Sequence, residues 1–450
     1  MWLTRLNGAT LTHLDVSELR LKYVQVVKDI CRTISQLPCL KVLHLRSQSG
    51  DSLSLYAFES LFYSCPTSLV DLKVTCQISG DVSRYSKDLV VGDWGYDEGP
   101  LILRDAPLLH LKSLDIPIMP VEDLEQVFGT ILGQCPALES LELPKLIELS
   151  DDMLFIIASI GELCPRISTL SFPEGCLAEH VTMVLDALPE QQLRNLCYRH
   201  HKDPDPEPMI ATWTRHSTTL RRIEFTHAIR IMSSVIQAAL TTCEGLEVFS
   251  ATSHGDLRNI CLIFANAIES EWVCRGIREL ILGVWVTGSG ANPEYMKDES
   301  KATWTDNNHR HWDDLGKFYS QIGALTRLEI LDLRAVGQIE MSFHHTPERE
   351  YFISLNETCF PGLLALEDAE QGKIGYLSKL AGLTQLRELR GSFVWTQKDN
   401  SAMIGEQEVD WFVNHLPSLE MATFHWRAFG APLQMLQLRR PRLRVCVNSS

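Results

Sequence analysis

Aliphatic and polar residues alternate along this chain in a phrase, L-x-x-L-x-L, that returns at a nearly constant interval. It begins at Leu11, Leu40, Leu69, Leu111, Leu138, Ile167, Leu193, Leu220, Leu246, Ile277, Leu328, Leu363, Leu386, Leu419 and Leu443, with most offsets between 23 and 35 residues. The last two aliphatics of the phrase flank one polar residue, as Leu141 and Leu143 flank Glu142, and that period of two predicts a short strand. Ahead of the phrase the period changes. Val121, Leu124, Val127, Phe128, Ile131, Leu132 and Cys135 recur at helical spacing, and Pro136 then predicts the helix end. Val24, Val27, Cys31 and Ile34 repeat this logic before Leu37-Pro38. Each period therefore predicts one helix and one strand.

Strands joined by a helical return run parallel, and such crossovers are right-handed. A period in this range predicts a solenoid. The expected fold is α/β: a right-handed horseshoe with parallel strands on the concave face and helices on the convex face. Residues 1–450 are expected to form a single domain of about 14–15 repeats. Inserts interrupt the period near 77–107, 200–208 and 287–311, where the offsets from Leu69 to Leu111 and from Ile277 to Leu328 are 42 and 51. The first and third are expected to project as loops. The second, His200-His-Lys-Asp-Pro-Asp-Pro-Glu-Pro208, is expected to be an extended polyproline spacer.

The phrase and its helix resemble the leucine-rich repeat of the ribonuclease-inhibitor-like type. That family carries an asparagine or cysteine ladder three positions past the third aliphatic. Here Leu19, Gln48, Gln77 and Leu146 hold those positions, so the ladder is expected to be absent or replaced. In the C-terminal half, Tyr319–Leu333, Leu377–Leu389 and Gly405–Glu420 resemble repeats of fungal F-box/leucine-rich-repeat proteins. The resemblance implies a substrate-recognition module of an SCF-type ubiquitin ligase, which docks on the Skp1 adaptor through an F-box. No F-box is recognisable before Leu11, so a Skp1-type partner is expected only if one lies upstream.

Composition narrows the function. A formal net charge of −16 argues against nucleic acid and anionic membrane surfaces as partners. No apolar stretch approaches the roughly 20 residues of a membrane span. The 13 cysteines show no paired spacing, and Cys65, Cys135, Cys164 and Cys243 recur just ahead of the phrase. They read as buried free thiols in a reducing compartment, cytoplasmic or nuclear.

No motif for catalysis, metal or cofactor is found. The pairs His200-His201, His309/His311 and His344-His345 lack convergent zinc spacing and read as loop histidines. No cofactor is expected, and an enzyme is the least favoured reading. The residue between the last two aliphatics must face away from the core. That row and its neighbours contain Lys73, Asp115, Glu142, Arg222, Glu224, Asp332 and Arg390, an acid-biased strip for a protein partner. Trp285, Trp395 and Trp426 fall just past the phrase and are a second candidate surface, along the strand-exit rim. The leading expectation is a protein-interaction scaffold. The alternative is a regulator of an enzyme, either a GTPase activator or an inhibitor-like protein, for which Arg199, Arg334 and Arg390 are candidate projecting arginines.

Overall fold

A single short-range pattern closes most repeats. The first aliphatic of the phrase donates its N–H to the carbonyl three residues back: Leu40 to Leu37 (3.1 Å), Leu138 to Cys135 (3.1 Å), Ile277 to Cys274 (3.2 Å) and Leu419 to Leu416 (3.2 Å). This turn ends the helix and aims the chain into the strand. The next two N–H groups then share one carbonyl of the preceding rung. Glu139 and Ser140 both donate to Lys112 (2.9 and 2.8 Å), and Glu420 and Met421 both donate to Arg387 (2.8 and 3.0 Å). Side chains add to the same edge: Ser68 Oγ donates to the Leu40 carbonyl at 2.7 Å, Gln192 Nε2 to Ile167 at 2.7 Å and Ser418 Oγ to Thr384 at 2.8 Å. These bonds between successive repeats run along the edge where strands begin.

The computed structural model describes residues 8–21, 24–47, 52–79, 104–115, 124–143, 157–173, 176, 178–199, 206–226, 233–252, 261–285, 306–338, 355–358, 364–367, 375–393, 405–424 and 431–447. The chain divides into two units, Met1–Arg199 and His200–Ser450. In the first, β1 (His13–Leu19), β2 (Val42–Ser47), β3 (Ser52–Ser54), β4 (Asp71–Thr75), β5 (Gln77–Ser79), β6 (Ser113–Asp115), β7 (Ser140–Glu142), β8 (Thr169–Phe172) and β9 (Asn195–Arg199) follow in order. Its sheet runs β1-β2-β4-β6-β7-β8-β9, every pair parallel. In the second unit, β10 (Arg222–Thr226), β11 (Val248–Thr252), β12 (Cys261–Ile263), β13 (Glu279–Trp285), β14 (Ile330–Gln338), β15 (Leu355–Thr358), β16 (Glu388–Gly391), β17 (Met421–Phe424) and β18 (Arg444–Val447) follow. The order there is β10-β11-β13-β14-β16-β17-β18, again parallel. The fold is an α/β leucine-rich-repeat solenoid.

The core is a set of rows that cross the rungs. Leu14, Leu43, Leu72, Leu114, Leu141, Leu170 and Leu196 are in register, and from Leu43 onward each is at most 1% exposed. Helical residues such as Phe58, Phe62, Ile131 and Leu132 are fully buried as well. Cys65, Cys135, Cys164 and Cys243 are buried free thiols, as their slot predicts. Cys164 Sγ lies 3.5 Å from the carbonyls of Leu132 and Cys135 in the preceding repeat.

Several expectations need correction. The phrase at Leu363 adds no rung, because β14 pairs directly with β16. Its third aliphatic position is Asp368, so it cannot continue the core row. Leu364 and Ala365 are nevertheless buried, and the Leu366 N–H is held by Glu408 Oε1 at 3.1 Å. One pair is antiparallel, β14 with β15, along the part of the nine-residue β14 that extends past β16. The first insert opens on β5, which pairs with β3 in a small second sheet. The third insert ends inside the helix Asp306–Gly323, so His309 and His311 are helical rather than in a loop. Pro206 and Pro208 start the helix Pro206–Arg215, where a first-turn proline loses no bond, so the polyproline spacer does not extend over them. Residues 200–205, 287–305, His344 and His345 lie outside the described residues.

Candidate functional site

The sheet face turned away from the helices carries the row read from the sequence. Asp15, His44, Lys73, Asp115, Glu142, Ser171 and Cys197 are register partners in unbroken succession across β1 to β9. Glu224, Ser250, Ile281, Asp332 and Arg390 do the same from β10 to β16. All seven strip residues predicted from the sequence therefore lie on the predicted face of their own unit.

Their charges are not free. In the first unit Lys73 Nζ meets Asp115 at 2.6 Å and Arg199 meets Glu142 at 3.1 Å. Arg46 pairs with Asp15 at 3.2 Å, and His44 Nε2 lies 3.0 Å from Asp71. Lys73, Asp115, Glu142 and Arg199 act as one cluster. The hydrogen bond with Asp115 pushes the Lys73 pKa up, with Glu142 adding to it. Burial raises Glu142 and Asp115 raises it further, against Arg199 and Lys73. Arg199 is lowered by burial but raised on balance by Glu142 and then Cys197. Beside this cluster, Ser113, Ser140, Thr169 and Asn195 form a row of small polar side chains, with Asn195 Nδ2 donating to Thr169 Oγ1 at 2.9 Å.

In the second unit the pairs form along single strands, two residues apart on one face. Arg222 Nε donates to Glu224 at 2.8 Å, Arg334 holds both oxygens of Asp332 at 3.2 and 3.3 Å, and Arg390 pairs with Glu388. Asp332 is only 5% exposed, so the predicted docking acid is enclosed by its own partner. The acid bias of the row is offset by the bases Arg46, Arg199 and Arg334, which stand two residues along the same strands from His44, Cys197 and Asp332. Arg199, Arg334 and Arg390, the candidate projecting arginines, are all engaged with carboxylates.

A feature the sequence reading missed lies on the edge where the strands of the second unit begin. The residue after the first aliphatic of each phrase that forms a rung reads Arg221, Glu247, Arg278, Glu329, Arg387, Glu420 and Arg444, strictly alternating in sign. Neighbours attract: Arg221–Glu247 at 3.9 Å, Arg278–Glu329 at 2.7 Å and Arg387–Glu420 at 3.0 Å. Glu420 pulls the Arg387 pKa up and is itself pulled down by it. The signal was legible once residues were aligned by repeat position rather than scanned along the chain. A polar cleft of about 580 Å³ opens on this edge, floored by Gly245 and Gly276 and walled by Arg221, Glu247, Arg278, Arg327 and Glu329.

Trp285 ends β13 at the strand exit, but its side chain lies outside the described residues, as do Trp395 and Trp426 entirely. Among the described residues no group of histidine, cysteine or acidic side chains is arranged to hold a metal, and no helix is long and apolar enough to cross a membrane.

No family model matches the sequence, and no curated protein matches it. Solved structures resemble it in part. An internalin (inlF) from Listeria monocytogenes is 12% identical, with a TM-score of 0.45 over 98% of this chain and 87% of that one. The leucine-rich-repeat protein LegL7 from Legionella pneumophila is 10% identical, with a TM-score of 0.35 over 75% and 88%. TLR13 in its complex with ssRNA13 is 11% identical, with a TM-score of 0.21 over 97% and 81%.

Proposed function

We propose that the chain is a protein-interaction scaffold that docks its partner on the open face of its sheet. The observation that carries this reading is the pair of in-register polar rows, held in place by Lys73–Asp115, Arg199–Glu142, Arg222–Glu224 and Asp332–Arg334. Side chains locked by such pairs lose little further entropy on binding. A charge mosaic of this kind selects a partner by complementary pattern rather than by net charge. Within this reading, the C-terminal repeats that resemble fungal F-box proteins support a finer role, the substrate receptor of an SCF-type ubiquitin ligase. The enzyme-regulator alternative is weaker, since its three candidate arginines are neutralised within the chain.

The test inverts the mosaic while keeping its ion pairs. Lys73→Asp with Asp115→Lys, and Arg222→Glu with Glu224→Arg, retain intramolecular pairing and so the melting temperature. Proteins that co-purify with the tagged wild-type chain are expected to be depleted by these swaps. An unchanged set removes the open face from consideration. Co-purification of a Skp1-type adaptor and a cullin is expected for the ligase role, and absence of both ends it while leaving the scaffold reading in place.

A further inference from the structure

We propose that Glu279, framed by Val248, Ile281 and Ile330, is the anchoring point for a lysine or arginine side chain of a protein partner. This deepens the open-face reading and rests on it. The register sets Glu279 of β13 between Val248 of β11 and Ile330 of β14. Ile281 stands two residues further along β13 on the same face, in register with Ser250 and Asp332. All three aliphatics are half-buried, on a face whose flanking positions are polar or charged.

The carboxylate differs from its neighbours. Glu224, Asp332 and Glu388 each have an arginine two residues away on the same strand. The residue two positions after Glu279 is Ile281, and among the described residues no cation pairs with Glu279. An ionised carboxylate only accepts hydrogen bonds, so it favours a donor, and a charged donor most. Lysine and arginine also carry methylene stems that pack on aliphatic surface while the charged head reaches a polar group. Aliphatics on three sides and a carboxylate in the middle match both ends of such a side chain. The ion pairs Arg222–Glu224 and Asp332–Arg334 flank the patch as a polar rim, the arrangement that shields an interface anchor from water.

The probe is a library of randomised peptides on phage, selected on the full chain. Enriched peptides are expected to carry a lysine or arginine beside an apolar residue. Glu279→Lys is expected to weaken them about 10- to 100-fold, as loss of a charge-assisted contact does. Ile281→Ser is expected to weaken them as well. The melting temperature should not move, because Glu279 holds no partner among the described residues. If Glu279→Lys lowers it, Glu279→Gln supplies the affinity reading instead. Selection of no basic peptide, or of basic peptides indifferent to Glu279, overturns the proposal. Should those indifferent peptides be weakened by the paired swaps at Lys73/Asp115 or Arg222/Glu224, the open-face reading survives without this anchor. Indifference to every open-face change sinks both.

Discussion

His216 makes the second unit sensitive to acid. It follows the helix Pro206–Arg215 and is fully buried, four residues ahead of the phrase at Leu220, the offset that Cys65 has from Leu69. Its N–H donates to the Thr212 carbonyl at 3.1 Å, and its own carbonyl receives the N–H groups of Thr219 and Leu220 at 3.0 and 2.9 Å. Burial, and then the charge of Arg215, lower its pKa from 6.5 to about 4. The folded state therefore refuses a proton that the unfolded chain accepts. Its contribution is complete above the unfolded pKa of 6.5 and is lost as the pH falls toward 4. At about 1.36 kcal/mol per pKa unit, the loss is about 2 kcal/mol at pH 5 and about 3 kcal/mol at full protonation. Domains hold only about 5–15 kcal/mol in all, so this is large enough to measure. Urea unfolding followed by circular dichroism, at pH 7 and pH 5, compares the wild type with His216→Cys. The substitution installs the residue that the Leu69 repeat has at the same offset, Cys65. Other groups also titrate over this range, so the difference between the two proteins is the quantity of interest. Equal pH dependence in both, or a His216 resonance titrating near 6.5, would refute the reasoning.

Gly391 takes the third aliphatic slot of its rung with φ of 123°, and a Cβ there would lie 1.8 Å from the Leu333 carbonyl oxygen. Gly391→Ala is expected to cost more than about 2 kcal/mol, read as a lower denaturation midpoint, and an unchanged midpoint contradicts the geometry. A thiol-reactive disulfide reagent should modify the exposed Cys39 and Cys446 in the native chain. Cys65, Cys164, Cys243 and Cys274, whose pKa values burial pushes up to about 12, should react only after unfolding. Rapid native modification of Cys164 would contradict its burial.

The repeat was legible because its information is local. The period of the aliphatics, the prolines after Cys65, Cys135 and Cys164, and the polar residue inside each strand are all fixed within one unit of sequence. The open-face row followed from strand alternation alone, and the register confirms it from Asp15 to Cys197. The pairing of its charges did not follow. Lys73 and Asp115 meet because β4 and β6 are adjacent, and Arg199 reaches Glu142 from two strands away. The Leu363 phrase misled because two of its three aliphatics are present, and only the absent third excludes a rung. Glu279 lies two residues before Ile281 of the row, but that no cation pairs with it among the described residues is a property of three strands together.

The alternation of Arg221, Glu247, Arg278, Glu329, Arg387, Glu420 and Arg444 constrains how this unit can change in length. Losing or duplicating one repeat would bring two arginines or two glutamates side by side at the junction. Losing or duplicating two would leave every contact on that edge attractive. Along this edge the natural module of growth is thus a doublet, although the backbone repeats one rung at a time.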